Sequence, residues 1–209
     1  MTEPNGEARH SGHASAEAAL EAIGRHLDGD QTFLSGIDPL LDRAGYSQHD
    51  VLAMFGTVDE LLVALARHYA DQLSAPLIRR DLNDVAIVRD SLVHFGIRAR
   101  KEYAATLVGL VRLIIAEGAR SKDLRDRIYA AGPGCVSSKL CAFLAAAKDA
   151  GVLDLLDASL ATEQLMGVLR EPLYQALLLH PMDEAAADRE DAATAAVDLF
   201  LDGCTRRSS

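Results

Sequence analysis

Between residues 43 and 57 the sequence gathers side chains that can hydrogen-bond a nucleic acid. The carboxamide of Gln48 can pair with an adenine edge, and the hydroxyls of Ser47 and Thr57 can donate to phosphate oxygens. Arg43 is the one Lys or Arg from residue 27 to residue 62, against seven carboxylates. Duplex DNA is held mainly by cationic side chains that displace counterions, so this balance works against grip. No catalytic constellation accompanies these residues. There is no G-x-S-x-G, no H-E-x-x-H, no phosphate loop and no Cys–His pairing at a recognisable spacing. Neither an enzyme nor a bound cofactor is expected.

The remaining reactive side chains are read as structural. His10 and His13 stand in a polar N-terminal stretch with no third ligand nearby, so no metal site is expected. Cys135, Cys141 and Cys204 are odd in number and form no C-x-x-C pair, which suits reduced thiols in a cytoplasmic chain. His94, Arg98 and Glu102 share one helix face and read as a surface network. Arg112 and Glu117 interrupt an apolar helix five residues apart, and each is expected to pair with another helix.

The elements that must position these residues are helical. The chain has 209 residues, 49% hydrophobic and 25% charged, which suits one or two packed domains. No apolar run approaches the roughly 20 residues of a spanning helix, and no secretory signal is visible at the N-terminus. Residues 1–15 read as a mobile tail. Leu20, Ile23 and Leu27 mark the buried face of a first helix over 16–27. Ser35 is expected to cap a short helix over 36–44 that Gly45 ends, and Ser47 to cap a second over 48–54, with Asp50 in its first turn. Thr57 to Glu60 reads as a capping box opening a longer helix to about residue 73. Further helices are expected over 83–100, 106–119, 121–131, 134–150, 157–179 and 183–202, with a kink at Pro172 and breaks at residues 132–134, Gly151 and Pro181. Two short helices around a glycine turn, flanked by longer ones, form a helix-turn-helix arrangement. Such a unit lays its second helix in the major groove.

Net charge is −10, and it is uneven. Residues 1–73 carry four basic and twelve acidic side chains, a balance of −8, and the first lysine is Lys101. Protonating all five histidines of that stretch would still leave it negative.

Residues 37–62, IDPLLDRAGYSQHDVLAMFGTVDELL, resemble the N-terminal domain of TetR-family transcriptional regulators. The turn at residues 44–47, Phe55 after the third helix, and the Glu60-Leu61-Leu62 start of the fourth fall at the family's spacing. Residues 110–117 (LVRLIIAE) and 196–203 (AVDLFLDG) resemble its AefR-like subgroup. The resemblance implies that Arg43, Ser47, Gln48, His49 and Thr57 face DNA. Where the family presents a Lys, a small residue, a Thr, a Tyr and a His on its third helix, this chain has Gln48, His49, Asp50, Leu52 and Ala53. The family's phosphate-binding Lys at the fourth helix is Val58 here. Its small alanine on the second helix is Leu41, and Pro39 is expected to break into that helix.

The expectation is an all-α chain with a helix-turn-helix domain over 16–73 and a helical domain over 74–209 that binds ligand and dimerises. Phe95, Tyr103, Tyr129, Phe143, Met166 and Tyr174 are the candidate lining of a site for a small apolar or amphipathic effector. Alanine at residues 185–187, 192, 193, 195 and 196, with Phe200 and Leu201, suggests a homodimer through the last two helices. Operator DNA is the expected partner, disfavoured by charge. The alternative is a relative with a silent head that meets a basic protein partner. No membrane partner is expected.

Overall fold

A computed structural model describes residues 15–27, 36–78, 81–102, 106–118, 121–170 and 190–204. Every regular element among them is a helix: α1 (Ala16–Gly24), α2 (Ile37–Ala44), α3 (Gln48–Phe55), α4 (Val58–Ser74), α5 (Val85–Glu102), α6 (Val108–Gly118), α7 (Lys122–Ala131), α8 (Pro133–Asp149), α9 (Ala158–Arg170) and α10 (Glu190–Cys204), with a 3-10 turn at Ala75–Leu77. The all-α expectation holds. The N-terminal tail, Pro172, Pro181 and the alanines at 185–187 lie outside the described residues.

Local chemistry sets most helix ends. Ser15, Ser47, Thr57 and Ser121 each accept, through the side-chain oxygen, from a backbone N–H in the first turn of the helix that follows. Gly45 ends α2 at φ 79, a left-handed conformation that a side chain would oppose.

Two expectations are corrected here. The cap of α2 is Gly36, at φ 72 and with no side-chain hydrogen bond, so the helix begins one residue later than Ser35 implied. Pro39 does not break α2. It stands in the first turn, where a missing N–H removes no intrahelical bond.

Two apolar clusters hold the chain together. One joins α1 to α4 with α6 and α7: Ile23, Leu27, Leu40, Leu41, Val51 and Leu61 pack with Leu110, Leu113, Leu124 and Ile128. The other joins the end of α4 to α5, α8, α9 and α10 around Leu92, Phe95, Leu140, Phe143, Leu165 and Val197. Helix α4 therefore belongs to both. Arg89 ties α5 to α10 through two bonds to Asp198, at 2.6 and 2.9 Å.

The stretch Lys122–Asp149 reaches a mean hydropathy of 1.2 over its most apolar 18 residues. Its length and composition would allow a membrane crossing, which the sequence reading did not anticipate. It turns at Gly132, however, and buries Leu124, Ile128, Leu140 and Leu144 inside the two clusters. That pattern is the core of a helical bundle.

Candidate nucleic-acid interface and ligand cavity

Helix α3 is an eight-residue segment stabilised by its own first turn. Asp50 accepts from the Ser47 backbone N–H at 2.8 Å and from the Ser47 hydroxyl at 2.7 Å, while Ser47 Oγ accepts from Asp50 N at 3.2 Å. Those bonds hold the Asp50 carboxyl below its ordinary 3.8, so it is ionised at neutral pH. Gln48 Nε2 donates to Asp38 Oδ1 at 2.8 Å across the turn. Thr57 Oγ1 accepts from Glu60 N at 3.1 Å, and Glu60 pairs with Arg127 of α7 at 2.5 Å.

Arg43, Ser47, Gln48, His49 and Thr57 are all exposed around the α2–α3–α4 unit. Three of them already have local bonds: the Ser47 and Thr57 oxygens cap helices, and the Gln48 amide holds Asp38. Arg43 and His49 complete the set. Leu52 is 53% exposed on the same short helix. The sequence reading placed Asp50 in the first turn of this helix. It missed the reciprocal bond, which the Ser47-x-x-Asp50 spacing signals.

A cavity of about 330 Å³ opens where α4, α6, α7, α8 and α9 meet. Ala66, Tyr69, Ala70 and Leu73 of α4 form one wall, and Leu110, Val111 and Ile114 of α6 another. Val136 and Ser137 of α8 and Met166 and Gly167 of α9 close it. Its polar groups are few: Tyr69, Tyr129, Ser137, Glu163 and Arg170. A largely apolar hollow with a handful of polar groups can hold a small amphipathic molecule.

Of the six residues expected to line a ligand site, Tyr129 and Met166 border this cavity. Phe95 and Phe143 are packed in the second cluster, 0% and 3% exposed, away from the lining. Tyr103 and Tyr174 lie outside the described residues. Tyr69, Ser137, Glu163 and Arg170 were missed. Tyr69 is one of the buried residues of α4. Glu163 and Arg170 are seven apart on α9, two turns along one face, a spacing that carries such a signal.

A more polar hollow of about 470 Å³ lies at the starts of α2, α3, α4 and α7, bordered by Asp38, Gln48, Asp59, Glu117 and Ser121. No group of three metal-ligating side chains suited to an ion occurs among the described residues. The His94–Arg98–Glu102 face is a local network: His94 Nδ1 lies 2.8 Å from the Asp90 carbonyl, and Arg98 donates to the Gln72 carbonyl.

Residues 103–203, which supply most of this cavity, match the family model of the AefR-like transcriptional repressor C-terminal domain. Over these residues, just under half of its length, the chain is similar to that AefR-like C-terminal domain. Solved TetR-type structures share the whole fold. A TetR transcriptional regulator from Agrobacterium tumefaciens is 22% identical, with a TM-score of 0.65, covering 91% of this chain and 94% of that one. The flavonoid-responsive regulator FrrA is 23% identical, with a TM-score of 0.62 and coverages of 91% and 98%. SmeT, the repressor of the Stenotrophomonas maltophilia multidrug efflux pump SmeDEF, is 18% identical, with a TM-score of 0.59 and coverages of 93% and 92%. No curated protein matches the chain significantly in sequence.

Proposed function

We propose that this TetR-type chain is a cytoplasmic, ligand-responsive transcriptional regulator whose grip on DNA is weak. The observation that carries the reading is the position of α4. One end follows directly on α3, and its second half walls the 330 Å³ cavity. A molecule preferring one cavity shape shifts the population of head arrangements by its differential affinity for them.

The effector suited to this lining is small, mainly apolar, and carries one or two hydrogen-bonding groups. Tyr129, Met166, Ser137 and Arg170 are its contacts. The flavonoid-responsive and efflux-linked relatives are consistent with that chemistry.

The weak grip follows from charge and local bonding. Asp50 is ionised, Val58 stands where a phosphate-binding Lys would help, and Ser47 and Thr57 have capping bonds to keep. Base reading rests on Gln48 and His49, and phosphate contact on Arg43, Ser47 and Thr57. A homodimer supplies two heads, and the exposed Leu160, Val168 and Leu199 offer apolar surface for a second copy to cover.

The test is fluorescence anisotropy with duplexes from the regions flanking the chain's own gene, across a salt series. Sequence-selective binding at low salt that fades before physiological salt supports the reading. Tight binding at physiological salt overturns the weak grip, and no selective binding at any salt overturns the regulator itself.

A further inference from the structure

We infer that the C-terminal turn of α1, residues 24–27, is the joint through which the state of the cavity reaches the head, with Tyr69 as its positioning residue. This rests on the cavity being an effector site. Two cavity walls converge on that one turn, and both need a glycine to get there.

The first wall is α4. Tyr69 borders the cavity, is only 8% exposed, and sets the far end of its side chain against Gly24 of α1. A Cβ on Gly24 would stand 2.9 Å from Tyr69 Cζ and overlap Tyr69 Oη. The second wall is α6. Leu110, Val111 and Ile114 border the cavity, and Gly109 on the same helix lies close against Leu27 at the end of α1. A Cβ on Gly109 would stand 2.7 Å from the Leu27 carbonyl carbon and overlap its oxygen.

Close-packed interiors leave no slack at such contacts, so a wall that moves must move the turn as well. The turn is continuous with the head. Ile23 and Leu27 are fully buried in the cluster that holds Leu40 and Leu41 of α2 and Val51 of α3. A molecule pressing on the Tyr69 ring therefore bears on the base of the α2–α3 unit through α1, alongside the path through α4.

Amide exchange on the full-length protein tests this, with 8-anilino-1-naphthalenesulfonate as an amphipathic probe whose fluorescence reports binding separately. Gly167→Leu is the blocking control, because Gly167 borders the cavity with open space beyond its Cα. The expected result is dye binding that Gly167→Leu abolishes, and a change of about threefold or more in exchange at residues 24–27. At dye saturation Tyr69→Phe, which keeps the ring and shortens its reach toward Gly24, should show less than half of that change. Dye held in the cavity with exchange at residues 24–27 unaltered overturns the joint alone, as does full transmission by Tyr69→Phe. Absence of dye binding, or binding that survives Gly167→Leu, overturns the effector reading and the joint with it.

Discussion

Asp50 and Ser47 hold each other at the start of α3, through bonds of 2.7 and 2.8 Å to the carboxylate and a return bond of 3.2 Å to the hydroxyl. The carboxylate that the proposed weak grip counts against DNA is thus the one that lets an eight-residue helix begin. Helices this short are marginal without such an anchor.

Ser47→Ala should therefore loosen α3 by about 1 kcal/mol, the usual worth of a serine cap. Faster amide exchange at residues 48–51, with α1 unchanged, is the reading that checks it.

The same pair predicts an acid response. Asp50 is held below its ordinary 3.8, so its stabilising effect is complete above that value and fades as pH falls through the lower, folded value. A thermal-unfolding series from neutral to strongly acid pH should show a loss attributable to residue 50, and Asp50→Asn should remove that component.

Glu102 carries the opposite sign. Burial raises its carboxyl above the ordinary 4.5, opposed by Arg98 and then His68. An acid raised in the folded state lowers stability as pH climbs from its unfolded value through the folded one. Glu102→Gln should accordingly melt higher than the parent above about pH 5, and the gap should close in acid.

Val58 begins α4 and is half-buried. Val58→Lys should strengthen duplex binding and steepen its salt dependence by about one counterion. Anisotropy titrations at several salt concentrations would read both. An unaltered slope would mean that the start of α4 does not face phosphate.

Two glycines should respond to alanine in opposite ways. Gly167 has nothing within 4 Å of an added Cβ and sits inside α9, so Gly167→Ala should stabilise by about 0.5–1 kcal/mol. Gly24→Ala collides with Tyr69 and should cost about 1–3 kcal/mol. Melting temperatures of the two variants moving in the same direction would contradict this account.

What the sequence disclosed was mostly local. Gly45, Ser47 and Thr57 act within a few residues of themselves, and each was legible as punctuation, whereas Ser121, read as the first residue of its helix, is the cap before it. Register at the start of α2 was missed, because the cap is Gly36, which offers no side chain for a sequence pattern to register. The cavity was legible in kind and only partly in membership. Large side chains were the natural candidates, yet Phe95 and Phe143 fill the core while Ala66, Ala70 and Gly132 leave the space open. Emptiness comes from small residues on helices distant in sequence, and no spacing rule along one chain reports it. The close approaches at Gly24 and Gly109 were hidden for the same reason.

Leu110, Leu113, Leu124 and Ile128 finish the apolar cluster that α1 to α4 begin, so the first third of the chain has no closed interior of its own. A crossover at residue 73 that swapped heads between related genes would tear that cluster open and strand its leucines in water. Mutation and selection must then shape the reader and the sensor as an inseparable couple, and a new specificity in one has to be tolerated by the other.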